Sequence, residues 1–305
     1  LSNQAATERP CPACGSRTTV HFADERLDAS KLNDFTYASR KRPEFMCLRL
    51  ERCTNCDLVY APAPPDSSFL ANAYAEAAYD SGEEAKCAAE SYARALTPYL
   101  SRLTFRKAAV DVGAGNGYLL SWFQQAGFSD AVGIEPSRAA INAAPADIRP
   151  LLREGMFSAD MLSDVTPSLI CTFMTLEHLA EPDAFVRTAY DLLEPSGMIA
   201  VVVHNWQGWL NRALGMRSPI IDIEHLQLFS PKSVRSLLET AGFERIEVQS
   251  IQNSYPLRYW MRLTPFPDKL KDVMENVLEG IGLAGTKVSF NVGNILAVGQ
   301  KKATA

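Results

Sequence analysis

Three groups of residues in this 305-residue chain have the types and spacing to do chemistry. The first is Asp111-Val112-Gly113-Ala114-Gly115-Asn116-Gly117. Glycines at such a turn let the backbone bend sharply and come close to a ligand. The pattern is G-x-G-x-G, and Tyr118 stands where a dinucleotide fingerprint would need its third glycine. Asp111 puts an acid at the mouth of the turn, which suits a cationic ligand and repels a pyrophosphate. The second group is a pair of C-x-x-C knuckles, Cys11 with Cys14 and Cys53 with Cys56. Four thiolates make a closed tetrahedral site, the structural kind of zinc site. Two disulfides or four free thiols are the other readings, and a reducing compartment favours the metal. The third group is His178, His204 and His225. Histidine titrates near neutrality and can take a proton from a reacting group, although each is also readable as a hydrogen-bonded structural side chain. His21, the fourth histidine, falls among the cysteine knuckles and reads as structural.

The elements that must position these groups follow from hydrophobic pattern and turn chemistry. Residues 1–66 form a polar first unit with a strand from Leu48, a second at Leu58-Val59-Tyr60, and the linker Ala61-Pro62-Ala63-Pro64-Pro65. Residues 67–104 are rich in Ala and Glu and read as a helical cap, with Glu83–Leu103 the better helix despite Pro98. From about 105 strand and helix alternate. Strands are predicted at 108–112, 131–134, 148–152, 169–173, 198–203, 246–251 and 288–298. Helices are predicted at 118–126, at 137–144 with Ser137 as N-cap, at 183–193 behind Pro182, and at 231–241 behind Ser230. Such alternation predicts an α/β sheet with helices on both faces. Residues 252–286 interrupt it, with a helix at 268–278, and read as a lid over the site.

In sheets of this kind ligands bind at the carboxyl ends of the strands. Glu135 closes Val132-Gly133-Ile134-Glu135, about 24 residues after Asp111, near the spacing at which an acid meets a ribose diol. Its carboxylate can accept from both hydroxyls.

The glycine turn resembles the first motif of class I S-adenosylmethionine (SAM)-dependent methyltransferases. Three further segments extend the likeness over about 105–250: Arg153-Glu154-Gly155-Met156-Phe157, the Leu176-Glu177-His178 end of the segment from Leu169, and Leu193-Glu194-Pro195-Ser196-Gly197. Asp222–Ser230 is similar to the His-Leu-x-x-Phe-Ser stretch that relatives place before their sixth strand. The resemblance implies a Rossmann-like methyltransferase sheet over 67–305, preceded by a zinc ribbon in 1–66. It implies SAM held by Asp111, Gly113, Gly115, Asn116, Gly117 and Glu135, with Met156 and Phe157 against the adenine. It implies a general base among His178, His225 and His204, taken in that order, and Zn2+ on Cys11, Cys14, Cys53 and Cys56. Asn205, Trp206 and Trp209 are placed to line an acceptor pocket, with the ribbon positioning the acceptor or a partner.

A zinc ribbon ahead of a class I methyltransferase resembles bacterial enzymes of surface-polysaccharide and secondary-metabolite pathways. The expected activity is methyl transfer to a small molecule, a sugar or natural-product intermediate, at oxygen in preference to carbon or nitrogen. Methylation of a ribosomal RNA base and a non-catalytic SAM-fold module are the alternatives. The net charge of −5 disfavours nucleic acid. No stretch matches a signal peptide or membrane span, so the expected location is the cytoplasm.

Overall fold

The computed structural model describes residues 8–28, 30, 36–37, 44–79, 82–262 and 267–303. The N-terminal part carries β1 (Thr19–Ala23), β2 (Leu50–Cys53) and β3 (Val59–Tyr60), followed by α1 (Ser67–Glu76) and α2 (Gly82–Leu96). The alternating region runs β4 (Ala108–Val112), α3 (Tyr118–Gln125), β5 (Asp130–Glu135), α4 (Arg138–Asn142) and β6 (Leu152–Glu154). It continues with β7 (Pro167–Phe173), α5 (Pro182–Leu192), β8 (Met198–His204), α6 (Trp209–Leu214), β9 (Gln227–Leu228) and α7 (Pro231–Thr240). The C-terminal part holds β10 (Glu244–Ser250), β11 (Asn253–Pro256), α8 (Leu257–Arg262), α9 (Asp268–Gly280), β12 (Lys287–Phe290) and β13 (Asn294–Gln300).

The main sheet has seven strands in the order β10-β13-β8-β7-β4-β5-β6. β4 to β8 run parallel, while β13 is antiparallel to both its neighbours. This is the α/β sheet with helices on both faces that the alternating pattern predicts, in the Rossmann-like class I methyltransferase form that the resemblance implies. Alternate strand residues feed two cores. Val110, Val132, Ile170 and Val201 pack with α5 and α7 on one face, and Ala109, Ala131, Leu169 and Val202 pack with α2 and α3 on the other. Met198 to Val203 are each 0% exposed, which accounts for the unbroken apolar run of β8.

Three elements differ from the pattern-based expectation. The strand expected at 148–152 is a 3-10 turn over Arg149–Leu151, and β6 begins only at Leu152, because Pro150 has no N–H for a ladder. The helix expected through Leu103 ends at Leu96 and tightens to 3-10 geometry over Thr97–Arg102, around Pro98. The strand expected at 288–298 is two strands. Asn291 Oδ1 accepts from Gly293 N, and Gly293 (φ 95°) turns the chain from β12, paired with β11, into β13.

β9 joins the two parts of the chain. It pairs with β3, so the N-terminal sheet has the order β1-β2-β3-β9 and its last strand comes from beyond residue 220. The buried Arg9 guanidinium ties the same seam, donating to the carbonyls of Ala61 and Ala180 and to Gln227 Oε1.

Candidate functional site

The parallel strands end on one side of the sheet, and the chemistry-bearing residues gather there. Asp111 lies in β4 and is 5% exposed. Its carboxyl has no hydrogen-bond partner among the described residues. Burial, then the charge of Glu135, pushes it up to about 7. Glu135 ends β5, with Oε2 accepting from Gly115 N at 2.7 Å and Oε1 from Ser137 N at 2.8 Å. Burial raises its pKa and the two amides oppose the rise. Each oxygen keeps lone-pair capacity for a further donor.

The glycines of the turn answer different demands. At Gly113 a Cβ would sit 2.2 Å from Thr175 Oγ1, whose hydroxyl reaches Val112 O at 3.3 Å. At Gly115 (φ 56°) a Cβ would meet nothing within 4 Å, so the backbone borders open space. An orphaned buried carboxyl beside an open glycine cradle fits a cationic ligand lying across the turn. Asn116 is buried there at 3% exposure, and Gly117 is the N-cap of α3. The loop after β6 is held by Gly155 N donating to Glu135 O at 3.1 Å. On it Met156 is exposed, whereas the Phe157 ring packs at a tilt, 4.8 Å from that of Phe185, and so is partly committed to the core.

The three histidines converge. The His225 ring lies 4.9 Å from that of His178 and 5.3 Å from that of His204. His178 Nδ1 meets Glu224 O at 3.1 Å, and His225 Nδ1 meets Ile220 O at 2.8 Å. A carbonyl only accepts, so Nδ1 of both rings carries a proton, and in the neutral ring Nε2 is the nitrogen left to accept. Glu224 lies between the two, with Oε2 4.0 Å from His178 Nδ1 and Oε1 4.0 Å from His225 Nε2. His204 Nδ1 sits 2.9 Å from Asn294 Oδ1.

Two further groups border the histidines. Glu177 is fully buried, accepts from His204 N at 3.0 Å through Oε1, and leaves Oε2 without a partner among the described residues. Burial pushes it up to about 7. The Tyr74 ring stands edge-on to His178 at 6.0 Å, and its hydroxyl has no partner among the described residues. Burial, then the charge of Glu224, holds that phenol well above its usual range. Met174, just before this segment, has φ 57°, a conformation that costs a non-glycine residue energy and recurs at functional sites. Sequence reasoning missed Glu224, Glu177 and Tyr74. Its available signal was an acid directly preceding each of two histidines, Glu177-His178 and Glu224-His225.

The four knuckle cysteines also converge. Cys11 and Cys56 have sulfurs 3.5 Å apart, Cys14 and Cys53 3.6 Å, and all four lie within 4.8 Å of one another. A tetrahedral ion with bonds of about 2.3 Å sets sulfur pairs about 3.8 Å apart. Each knuckle closes with a matching bond, Gly15 N to Cys11 O and Asp57 N to Cys53 O. Asp57 takes the left-handed conformation (φ 64°) that Gly15 takes in the first knuckle (φ 70°). A hydrogen bond from Cys56 draws the Cys11 thiol below its ordinary range, and the same bond with burial holds Cys56 above it.

Fold and strand-end geometry together define a Rossmann-like methyltransferase. A family model described as a methyltransferase domain matches residues 85–248, more than half of the chain. The chain belongs to that family and is a SAM-dependent methyltransferase. Among solved structures it is similar to a SAM-dependent methyltransferase from Archaeoglobus fulgidus, at 14% identity over 77% of this chain and 100% of that one, with a TM-score of 0.47. It is also similar to a Thermotoga maritima protein described as a possible histamine N-methyltransferase, at 18% identity over 72% and 91%, with a TM-score of 0.46. A plantazolicin methyltransferase solved with S-adenosylhomocysteine (SAH) matches at 17% identity over 78% and 91%, with a TM-score of 0.48. No curated protein matches. Among the described residues no helix is long and apolar enough to cross a membrane.

Proposed function

We propose that the enzyme methylates a hydroxyl of a small polar acceptor, a sugar or natural-product intermediate, with His178 taking the proton. The observation that carries this reading is the meeting of His178, Glu224 and His225 beside the glycine turn. Thr175 links the two, bonding Val112 O through its hydroxyl and His178 N through its carbonyl. Bound SAM supplies a methyl group on a cationic sulfur. With SAM bound, Glu135 would hold the ribose hydroxyls and Asp111 the ammonium end, with the Gly113–Gly117 backbone bordering the ligand. His178 accepts the proton at Nε2, while the Glu224 carbonyl on Nδ1 orients the ring and the Glu224 carboxylate 4.0 Å from Nδ1 stabilises the imidazolium. His225 buttresses the pair and stands second as base, with His204 third. Glu177 Oε2 and the Tyr74 hydroxyl are buried polar atoms without a partner among the described residues, which suits an acceptor with several hydroxyls. Titrating a panel of sugars and phenols with methyl-labelled SAM tests the class, and methyl-ester or N-methyl products alone would refute it.

The pKa of Asp111 makes SAM binding pH-dependent. A carboxyl raised to about 7 keeps its proton at pH 6, and a cationic ligand expels it. SAM affinity should therefore rise with pH up to about 7 and level off above about 8, with close to one proton released at pH 6. In the ligand-free protein the sign is opposite. The folded state binds more protons than the unfolded one between the ordinary carboxylate range and about 7, so this group's contribution to stability falls as pH rises. Calorimetry in buffers of different ionisation enthalpy reads the released proton, and a pH-independent affinity would contradict the assignment.

The four cysteines hold a structural Zn2+, which leaves no open position for chemistry. The knuckles that would hold the ion connect to the site through the seam. Ala61 N donates to Leu226 O, Leu226 N donates to Glu177 O, and Trp206 Nε1 donates to Asp57 O. Elemental analysis should find one zinc per chain. The double variant C11S/C53S should lose it, with Tm lower by about 10 °C. Zinc-free wild type of unchanged Tm would remove the metal from the account.

A further inference from the structure

Where the N-terminal sheet meets α6, a cavity of about 290 Å³ is lined by Phe22, Trp206, Met216, Ile220, Ile221 and Leu228, with Arg212 at its edge. A second hollow of about 450 Å³ is lined by Arg52, Trp206, Gln207 and Arg212. The two share Trp206 and Arg212 and differ in character, one apolar and the other cationic. Neither the Arg52 nor the Arg212 guanidinium has a hydrogen-bond or ion-pair partner among the described residues. Two guanidinium groups on one hollow repel each other until an anion sits between them, and the planar fork of arginine matches a carboxylate or phosphate. Trp206 is fixed between the halves, its Nε1 bonded to Asp57 O at 3.0 Å and its ring edge-on to Phe22 at 5.5 Å.

Two residues of the lining adjoin the histidine group. Trp206 follows His204 by two residues. The Ile220 carbonyl that fixes His225 belongs to a residue lining the apolar half. Phe22 and Arg52 come from the strands of the N-terminal sheet, so that sheet supplies part of the lining.

We propose that this pocket binds the part of the acceptor remote from the methylated hydroxyl, and that this part is an oxyanion joined to an apolar or aromatic body. The inference rests on the reading of the histidine group as the transfer site, and it gives the ribbon a role in acceptor recognition. The oxyanion is a carboxylate or a phosphate ester, two sources of one chemistry.

The test uses the aryl sulfonate 8-anilinonaphthalene-1-sulfonate on the full chain. It should bind at one site per chain, more weakly as salt is raised. Arg52→Gln and Arg212→Gln should each weaken it by about fivefold or more. Phenyl phosphate and benzoate should displace it, the better competitor identifying the anion, and phenol should not. Equal binding by the variants, or displacement by phenol as readily as by phenyl phosphate, would overturn the proposal. SAH titration of the same samples separates the failures. Loss of the anion site with SAH still bound refutes only this inference, whereas wild type that binds no SAH refutes the methyltransferase site beneath it.

Discussion

Replacing Glu135 by Ala should weaken SAH binding by about 100-fold or more. A carboxylate accepting from two ribose hydroxyls makes two charge-assisted bonds, each about 1.5–3 kcal/mol, and about 1.4 kcal/mol is a factor of ten. The substitution also strips the Gly115 and Ser137 amides of the acceptors that hold the turn against β5. Glu135→Gln separates the two losses. Its amide oxygen can still accept, so the turn keeps one anchor while the charge is gone, and its affinity should fall between wild type and Ala. Calorimetric titration measures all three proteins. An Ala variant that binds SAH like wild type would remove Glu135 from the ribose.

His178→Ala should lower kcat by about 100- to 10,000-fold while SAH affinity stays within about twofold, the range expected for losing a positioned base. A merely structural histidine would not change the shape of the pH profile. Loss of the base should leave a rate that keeps rising with pH where the wild type has levelled off, as hydroxide replaces the imidazole. Glu224→Gln should act in the same direction and more weakly, because it removes the charge 4.0 Å from His178 Nδ1 but not the ring. His225→Ala should fall between them, and His204→Ala, whose ring is turned to Asn294, should cost least. Equal kcat in all three histidine variants would leave alignment alone to carry the reaction.

The parts of the fold legible in the sequence are those decided locally. The apolar run of β8, the glycine turn after β4 and the Ser137 and Ser230 caps each rest on a few consecutive residues, and each element forms within a residue or two of its expected position. Prolines decided two of the boundaries that moved, at Pro98 and Pro150, and Gly293 decided the third, between β12 and β13. What no local pattern carries is long-range contact. β9 is two residues long, with no period to read, yet it completes a sheet whose other strands end by residue 60. In the site, His178 meets the carbonyl of a residue 46 positions away, so its partner Glu224 was invisible although it adjoins His225. Glu177 was missed for another reason. An acid next to a histidine is expected in solvent, and this one is fully buried, with one oxygen unpaired among the described residues. Arg52 reads as an ordinary outward residue of a short strand until the fold sets Arg212 on the same hollow.

If the glycine turn holds SAM with its sulfur toward the His178–Glu224–His225 group, a crystal structure of the SAH complex will show ribose hydroxyls on Glu135, the ligand amine at Asp111, and the sulfur facing His178 across open space. SAH bound elsewhere, or a sulfur turned away with the histidines sealed behind side chains, would contradict it.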